Sequence, residues 1–192
     1  RDFQLSTAGN VINLSLQAPN ASAMSGVNLI AYDSVSGLRL GNVVSAADGT
    51  GSFLIDSDFT DITVLITDPN AGFLGIYRNE NFTSDDIQTL TQATVTGAIE
   101  PPAGSSLDPN DPDGASVTIT ATGLSPALSV LVGNVIPLAN VPILDLGTGI
   151  YTRDLFPGDY DFGANSVKGY PDVTTQAKTI SNSEVVNVQV SL

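Results

Sequence analysis

The part of the chain best suited to chemistry is an acidic loop at residues 108–114. Asp108, Asn110, Asp111 and Asp113 place four short oxygen-bearing side chains within six positions. Hard cations such as Ca²⁺ are bound by about six to eight oxygens, supplied by such side chains and by carbonyls at a bend. The loop therefore predicts a Ca²⁺ site. Its spacing differs from that of an EF-hand, and Asp and Pro also favour an ordinary solvated turn, so both interpretations stay open.

The residue types that perform most enzyme chemistry are missing. The chain has no Cys and no His, which removes thiol nucleophiles, disulfides, histidine general bases and the usual zinc ligands. Two carboxylates could still hydrolyse glycosides. However, Trp is absent as a platform for stacking on sugars. We predict that the protein is not an enzyme.

The charge of the chain limits its partners. Acidic residues outnumber basic ones by 20 to 6 in 192 residues, which gives a formal net charge of −14. Nucleic acid is therefore not expected to bind, because phosphates need clustered Lys and Arg. An anionic membrane surface would repel the chain as well. The longest apolar segment, residues 124–146, is interrupted by Pro126, Pro137 and Pro142, so we predict no membrane span.

The composition also indicates where the protein works. The chain is rich in Ser, Thr, Asn, Gly and Asp and poor in Lys, which resembles secreted surface proteins. It begins at Arg1 rather than Met, as expected after removal of a signal peptide, although a trimmed chain would look the same. We predict an extracellular or cell-surface location.

A polar loop at residues 79–86 contains a glycosylation sequon. Asn81 is followed by Phe82 and Thr83, which is the acceptor pattern of a glycosylating secretory system. We predict Asn81 as the acceptor. The same loop could instead present polar groups to a glycan or to a host surface.

The elements that must position these loops are β-strands. Apolar and polar residues alternate with a period of two, which is typical of strands with one buried face. No segment shows sustained helical periodicity. The segments with strand character include residues 11–17, 26–33, 52–55, 62–67, 73–77 and 185–192. We predict an all-β fold built from antiparallel strands.

The order of these segments repeats in outline along the chain. Residues 114–121 correspond to residues 26–31, and Gly149-Ile150-Tyr151 corresponds to Gly51-Ser52-Phe53. Repetition on this scale indicates two related units in tandem.

We place the units by the breaks between segments. The prediction is an N-terminal arm at residues 1–9, a first β-sandwich at residues 10–92 and a second at residues 93–192. The arm ends at the strand-breaking pair Gly9-Asn10.

A turn in the second half carries a family resemblance. Phe156-Pro157-Gly158-Asp159 predicts a type II turn, because Pro fixes φ at the second position and Gly accepts a positive φ at the third. The turn lies in the pattern Gly-x-Tyr followed by Leu-x-Pro-Gly-x-Tyr, from Gly149 to Tyr160. This pattern resembles the carboxypeptidase regulatory-like, or transthyretin-like, family of Ig-like β-sandwiches. The resemblance implies the sandwich fold and no particular function.

The apolar segment at residues 124–146 has two interpretations. It contains one charged residue, Asp145, and more Leu, Val and Ile than a sandwich loop requires. It can form buried strands of the second sandwich, or it can be an apolar surface covered by another copy. Under the second interpretation the interface residues are Leu128, Val130, Leu131, Val132, Ile136 and Leu138.

The N-terminal arm supports assembly with other copies. Phe3 and Leu5 alternate with polar residues, and this strand has no assigned partner in a complete sandwich. It can pair within its own sandwich, or it can join the open sheet edge of a neighbouring copy. Repeated head to tail, such strand addition produces a filament.

The functional prediction follows from these features. We expect a structural subunit of an extracellular filament, pilus-like fibre or surface layer that assembles with itself through residues 1–9 and the apolar segment. The alternative is an adhesin or stalk module that binds a glycan or host-surface ligand, or a virion surface protein.

Overall fold

Strands are the main elements of the fold, as the alternation of apolar residues predicts. The computed structural model describes residues 9–82, 87–108, 115–122, 124–130, 139–142, 148–165 and 167–189. Within these residues lie 15 strands and one helix of four residues. The predicted all-β sandwich fold is confirmed.

Most strands are short and end at turn residues. They are β1 Gly9–Gln17, β2 Asn28–Asp33, β3 Arg39–Val44, β4 Thr50–Asp56, β5 Ile62–Asp68, β6 Gly72–Asn79, β7 Ile87–Thr91, β8 Ala93–Glu100, β9 Ser116–Ala121, β10 Ala139–Pro142, β11 Ile150–Leu155, β12 Gly158–Asn165, β13 Val173–Ile180, β14 Glu184–Val185 and β15 Val188–Gln189. The helix, α1, spans Pro126–Ser129, and the Ser125 side chain accepts a hydrogen bond from its Leu128 N–H. No described helix has the length and apolar character of a membrane-spanning segment.

The sheets form two sets with the same internal order. The first set has a three-stranded sheet, β4-β1-β7, and a four-stranded sheet, β3-β2-β5-β6. The second has β11-β8-β14, with β15 also paired to β8, and β10-β9-β12-β13. In both sets the first strand is antiparallel to the fourth and parallel to the seventh. The connectivity thus recurs, with β8–β14 in the places of β1–β7.

Each set encloses an apolar core. The first core takes most of its residues from the strands before residue 92, and the second takes most from the strands after it. The boundaries predicted at residues 10–92 and 93–192 stay predictions, because the two cores also exchange residues across that point.

The four-stranded sheet of the first set is apolar on both faces. Leu29 on β2 points into the first core, whereas Ile30 and Tyr32 pack against the second core. Leu65 on β5 and Phe73 on β6 also belong to the second core. We call this outer surface the shared face. A strand buried on both sides carries an unbroken apolar run, and the first five residues of β5 are all buried.

The corresponding face of the second four-stranded sheet is polar. Val117 and Ile119 on β9 point into the second core, so Thr118 and Thr120 lie on the opposite face. Asp161 on β12 pairs with Thr120 and adds a carboxylate to this face. The two sets therefore share a topology, but only the first presents an apolar outer face.

The turn before β12 differs from the predicted type II turn. The φ of Gly158 lies outside the left-handed region, and Gly158 is already the first residue of β12. Glycine is needed here for space instead, because a Cβ would lie 3.2 Å from Tyr160 Oη and 3.4 Å from the Tyr160 ring. The prediction of a positive φ at Gly158 was wrong.

Two predicted boundaries also differ from the observed strands. The break expected at Gly9-Asn10 is absent, because Gly9 and Asn10 pair with β4 as part of β1. The expected C-terminal strand is split into β14 and β15, which both pair parallel to β8.

The C-terminal segment runs parallel to β8 and approaches it closely at Gly97. The Val186 N–H donates to the carbonyl of Thr96 at 2.8 Å, and Tyr151 Oη donates to the carbonyl of Val186 at 2.6 Å. A Cβ on Gly97 would lie 1.8 Å from that carbonyl oxygen. Glycine at residue 97 therefore permits the close approach.

Candidate functional site

The predicted Ca²⁺ loop is described only at its first ligand. Asp108 forms an ion pair with Lys168, with 2.6 Å between Oδ2 and Nζ. Asn110, Asp111 and Asp113 lie outside the described residues. Within the described ranges, no three acidic side chains converge as metal ligands. The Ca²⁺ site stays a prediction.

Two of the predicted interface residues lie on or beside α1. Leu128 is fully buried in the second core, whereas Val130 is 71% exposed. Of these two, only Val130 is exposed at the surface. The other predicted interface residues lie outside the described residues, namely Phe3, Leu5, Leu131, Val132, Ile136 and Leu138.

The predicted glycosylation site lies in a turn after β6. Asn81 is exposed, and its N–H donates to the side chain of Asn79 at 3.1 Å. The next residue, Phe82, is buried and donates its N–H to the carbonyl of Thr60 at 2.9 Å. The position is accessible, and glycosylation at Asn81 stays a prediction.

The short polar side chains are largely used to build turns. Their oxygens accept backbone N–H groups two or three residues further on, which fixes the turn conformation. The residues that do so are Asn20, Asp33, Asp48, Asp56, Asp68 and Asn79. The richness in Asp and Asn is thus explained by the many connections between short strands.

One ion pair joins β6 to the turn before β5. Arg78 Nη2 lies 2.9 Å from Asp61 Oδ2, and Arg78 Nη1 lies 3.3 Å from Glu80 Oε1. The hydrogen bond from Arg78 is the main reason that the pKa of Asp61 is lowered, and the same bond raises the pKa of Arg78. This pair secures the far end of β6.

The turn between β11 and β12 anchors the second half in the first. The Phe156 side chain is fully buried in the first core, although the residue belongs to the second half. Its N–H donates to the carbonyl of Leu74 on β6 at 2.9 Å. A Cβ on Gly75 would lie 2.9 Å from Phe156 Cβ, so glycine permits the approach. The second half therefore supplies a core residue to the first.

Arg153 bridges the same boundary through its guanidinium. Its Nη2 donates to the carbonyl of Ala71 at 2.6 Å and also to that of Phe73. Burial lowers the pKa of Arg153, and the nearby Asp154 and Asp68 act in the opposite direction. Arg153 Nε is buried and has no hydrogen-bond partner among the described residues. The guanidinium thus connects β11 to the start of β6.

Tyr160 completes the junction from β12. Its Oη donates to the carbonyl of Phe156 at 2.6 Å, which holds the turn closed. Its ring meets the Phe73 ring edge to face, with centroids 6.2 Å apart. The charge distribution of aromatic rings favours this edge-to-face arrangement. Burial raises the pKa of Tyr160, so the hydroxyl stays a neutral donor.

Sequence reasoning did not identify this junction. Arg153 follows the alternation of a strand with an exposed polar face, and Phe156 precedes a proline in an apparent surface turn. The available signal was the apolar run of β5 from Ile62 to Ile66, interrupted only by Thr63, because such a run requires a partner on both faces.

The sheet edges determine where another chain could pair. Exposed edges are usually protected by charged residues, Pro or very short length. Six of the edge strands carry such a residue: Arg39 on β3, Asp56 on β4, Arg78 on β6, Pro142 on β10, Arg153 on β11 and Lys178 on β13. β14 and β15 have two residues each. β7, Ile87–Thr91, has five residues and contains no charge, Pro or Gly.

Comparison with known proteins identifies no family. No protein-family model matches the chain, and no curated protein sequence matches it. The resemblance to transthyretin-like sandwiches therefore stays a prediction.

Several solved structures resemble the fold at a low level. They include the shaft pilin SpaA from Lactobacillus rhamnosus GG, with a TM-score of 0.36, 9% identity and coverage of 95% of this chain and 97% of that chain. The TIE protein of Bacillus anthracis has a TM-score of 0.35 and 13% identity over 95% of this chain, which spans 34% of that protein. A DUF3823 family protein from Parabacteroides merdae has a TM-score of 0.39 and 11% identity over 52% of this chain and 46% of that one. These similarities concern strand arrangement and carry over no activity or partner.

Proposed function

We propose that the protein is a structural subunit of an extracellular filament, pilus-like fibre or surface layer, and that its copies are joined by strand addition. The observation that carries this proposal is the shared face, through which the second core takes in Tyr32, Leu65 and Phe73 from the first half. Separating the halves would expose these side chains to water, which is unfavourable in proportion to their apolar area. The two sandwiches therefore resist bending relative to each other, as is required of a subunit that carries mechanical force in a fibre.

The use of many described carboxylates supports a structural role. Several accept turn N–H groups, others pair with Arg78 or Lys168, and some accept hydroxyl groups, as Asp154 does from Thr94 at 2.7 Å. Side chains already engaged in this way are poorly placed for general acid or base catalysis. This supports the prediction that the protein is not an enzyme.

The proposal assigns assembly to residues 1–9. Phe3 and Leu5 would lie on one face of an added strand, because side chains alternate across a strand. An arm that joins a neighbouring sheet links each copy to the next in one direction, which gives a head-to-tail filament.

Electron microscopy of the purified protein tests this proposal. Negative staining should show regular filaments, and replacing both Phe3 and Leu5 by Asp should abolish their extension. The control replaces Gln4 and Ser6 by Asp, which adds the same charge and keeps both apolar side chains. Dispersed monomers of the unaltered protein under all conditions would refute the proposal.

A second candidate function is a binding module on a cell-surface stalk. The observation that favours it is a cleft of about 310 Å³ at the junction, lined by Asp68, Gln92, Thr152, Arg153 and Asp154. Ligand pockets begin at about this size and combine apolar walls with a few polar groups. A glycan-binding screen tests it: binding that is lost when Arg153 is replaced by Met would favour this function, and absence of binding would reject it.

A further inference from the structure

We propose that the free edge of β7 in one copy accepts residues 1–8 of a second copy as an added strand. This inference rests on the proposed function and names the acceptor surface for it. β7 pairs with β1 on one side, and no described strand pairs with its other side.

The first reason is that β7 lacks protection against pairing. The other edge strands carry a charged residue or Pro, or have only two residues, as described above. An edge strand of five residues without such features exposes backbone N–H and C=O groups in a regular row. An unprotected edge suits a strand that pairs with another chain.

The second reason is an exposed apolar side chain on this edge. Ile87 on β7 is 66% exposed and pairs with Asn13 of β1. Because Ile12 of β1 points into the first core, Asn13 and its partner Ile87 lie on the outer face of the sheet. Ile87 thus offers an apolar contact to a strand added beside β7.

The third reason is the length and pattern of residues 1–8. An extended segment of eight residues reaches about 26 Å, and the five residues of β7 span about 17 Å. Phe3 and Leu5 fall on one face of such a strand and could cover Ile87, while the other positions near them are polar. The segment is therefore long enough to pair along the whole of β7.

The geometry favours a second copy over the same chain. β1 lies between β4 and β7 and begins at Gly9, before the level of Asn13 where β7 starts, so residues 1–8 of the same chain would have to pass around the start of β7 and reverse direction. That path covers two strand spacings of about 4.8 Å each and uses up much of the segment before it could pair. Residues supplied by a second copy have no such detour.

A different contact between copies is disfavoured by the second half. Repeating the contact between the two halves in the next copy would need an apolar outer face on the second four-stranded sheet. That face carries Thr118, Thr120 and Asp161 instead. Copies must therefore join through another surface, and the edge of β7 is available.

Cysteine crosslinking tests the acceptor directly, since the chain has no natural Cys. One copy carries Leu5→Cys, and a second copy with a larger tag carries Gln88→Cys or Thr89→Cys, which lie on opposite faces of β7. Mild oxidation during assembly should join one untagged and one tagged copy through a disulfide. This crosslinked dimer should form with either Gln88→Cys or Thr89→Cys, whichever faces Leu5→Cys. Val185→Cys, on the edge strand β14 and 69% exposed, is the control and should give none.

A charge variant provides a second measurement that does not depend on register. Ile87→Lys should abolish filament extension, while Val185→Lys, equally exposed on an edge of the second half, should leave it unchanged; thermal unfolding checks that both variants fold. Filaments that form without either crosslink and tolerate Ile87→Lys would overturn the β7 acceptor and leave the proposed function intact. A crosslink within one chain carrying both cysteines, in a protein that stays monomeric, would overturn both proposals.

Discussion

Gly97 and Tyr151 act on a single carbonyl oxygen, that of Val186, but for different physical reasons. Gly97 provides space for the oxygen, and Tyr151 donates the hydrogen bond that replaces water. Backbone clashes cannot be relieved by a rotamer change, whereas a lost hydrogen bond leaves the packing intact. Substitutions at the two positions should therefore differ in severity.

The prediction is that Gly97→Ala destabilises the protein more than Tyr151→Phe. The alanine Cβ clashes with backbone, so the cost should reach about 3 kcal/mol or more, against about 1–3 kcal/mol for an unpaired carbonyl. Urea unfolding measures both. Gly41→Ala is the control, because its Cβ would meet only Phe53, at 3.5 Å. Equal unfolding midpoints for the two glycine variants would contradict the close approach of the Val186 carbonyl to Gly97.

The pair of Asp61 and Arg78 predicts a dependence of stability on pH. The pKa of Asp61 is lowered in the folded protein, chiefly by the hydrogen bond from Arg78. Its stabilisation is therefore present above the unfolded pKa of about 4 and is lost as the pH falls through the lower folded value. Asp61→Asn should cost about 0.2–1 kcal/mol at neutral pH, and this difference should shrink in acid. Denaturant unfolding at several pH values, with Asp58→Asn as control, checks it; a difference that is constant with pH would contradict it.

The strands show which elements could be predicted from sequence. β1 and β4 have one face in a core and one facing outward, and their period of two was plain. β5 is buried on both faces, so its sequence shows a strand but does not identify the second partner. The Gly158 error has a similar cause: Pro-Gly usually signals a turn conformation, but here the glycine makes room for the Tyr160 ring.

The candidate site was predicted less well than the fold. The Arg153 guanidinium binds the carbonyls of Ala71 and Phe73, which lie 82 and 80 residues away in the chain. A pattern of neighbouring residues cannot predict a contact over that separation. The predictions made for the loops and for the N-terminal arm fall mainly outside the described residues, apart from those for Asp108, Asn81, Leu128 and Val130.

The β11–β12 turn should couple the two halves. Replacing Phe156 by Ala removes a fully buried ring from the first core, which should cost about 3–5 kcal/mol. Calorimetry should then show the halves unfolding separately. Phe53→Ala is the matched control, because Phe53 lies in the same core but on its own strand β4. It should lower stability without separating the transitions. A single transition in Phe156→Ala would argue against coupling through this turn.

For the molecule as a whole, the formal charge of −14 makes bound cations a natural source of stability, because self-repulsion disfavours the compact state. We predict that Ca²⁺ raises the melting temperature and that a chelator lowers it. Replacing both Asp111 and Asp113 by Ala should remove this response. Replacing Asp56 and Asp58 by Ala is the control, since it removes the same charge elsewhere. A melting temperature unaffected by the chelator would end the Ca²⁺ hypothesis.

The shared face also has an evolutionary meaning. Two units with the same connectivity point to duplication of a single ancestral sandwich, after which the copies diverged. The four-stranded sheet of one copy acquired an apolar outer face, and that of the other kept a polar one. Neither unit can now replace the other, and a third could not be added at the same interface. A relative with only one such unit should therefore carry hydrophilic residues where this chain has Tyr32 and Phe73.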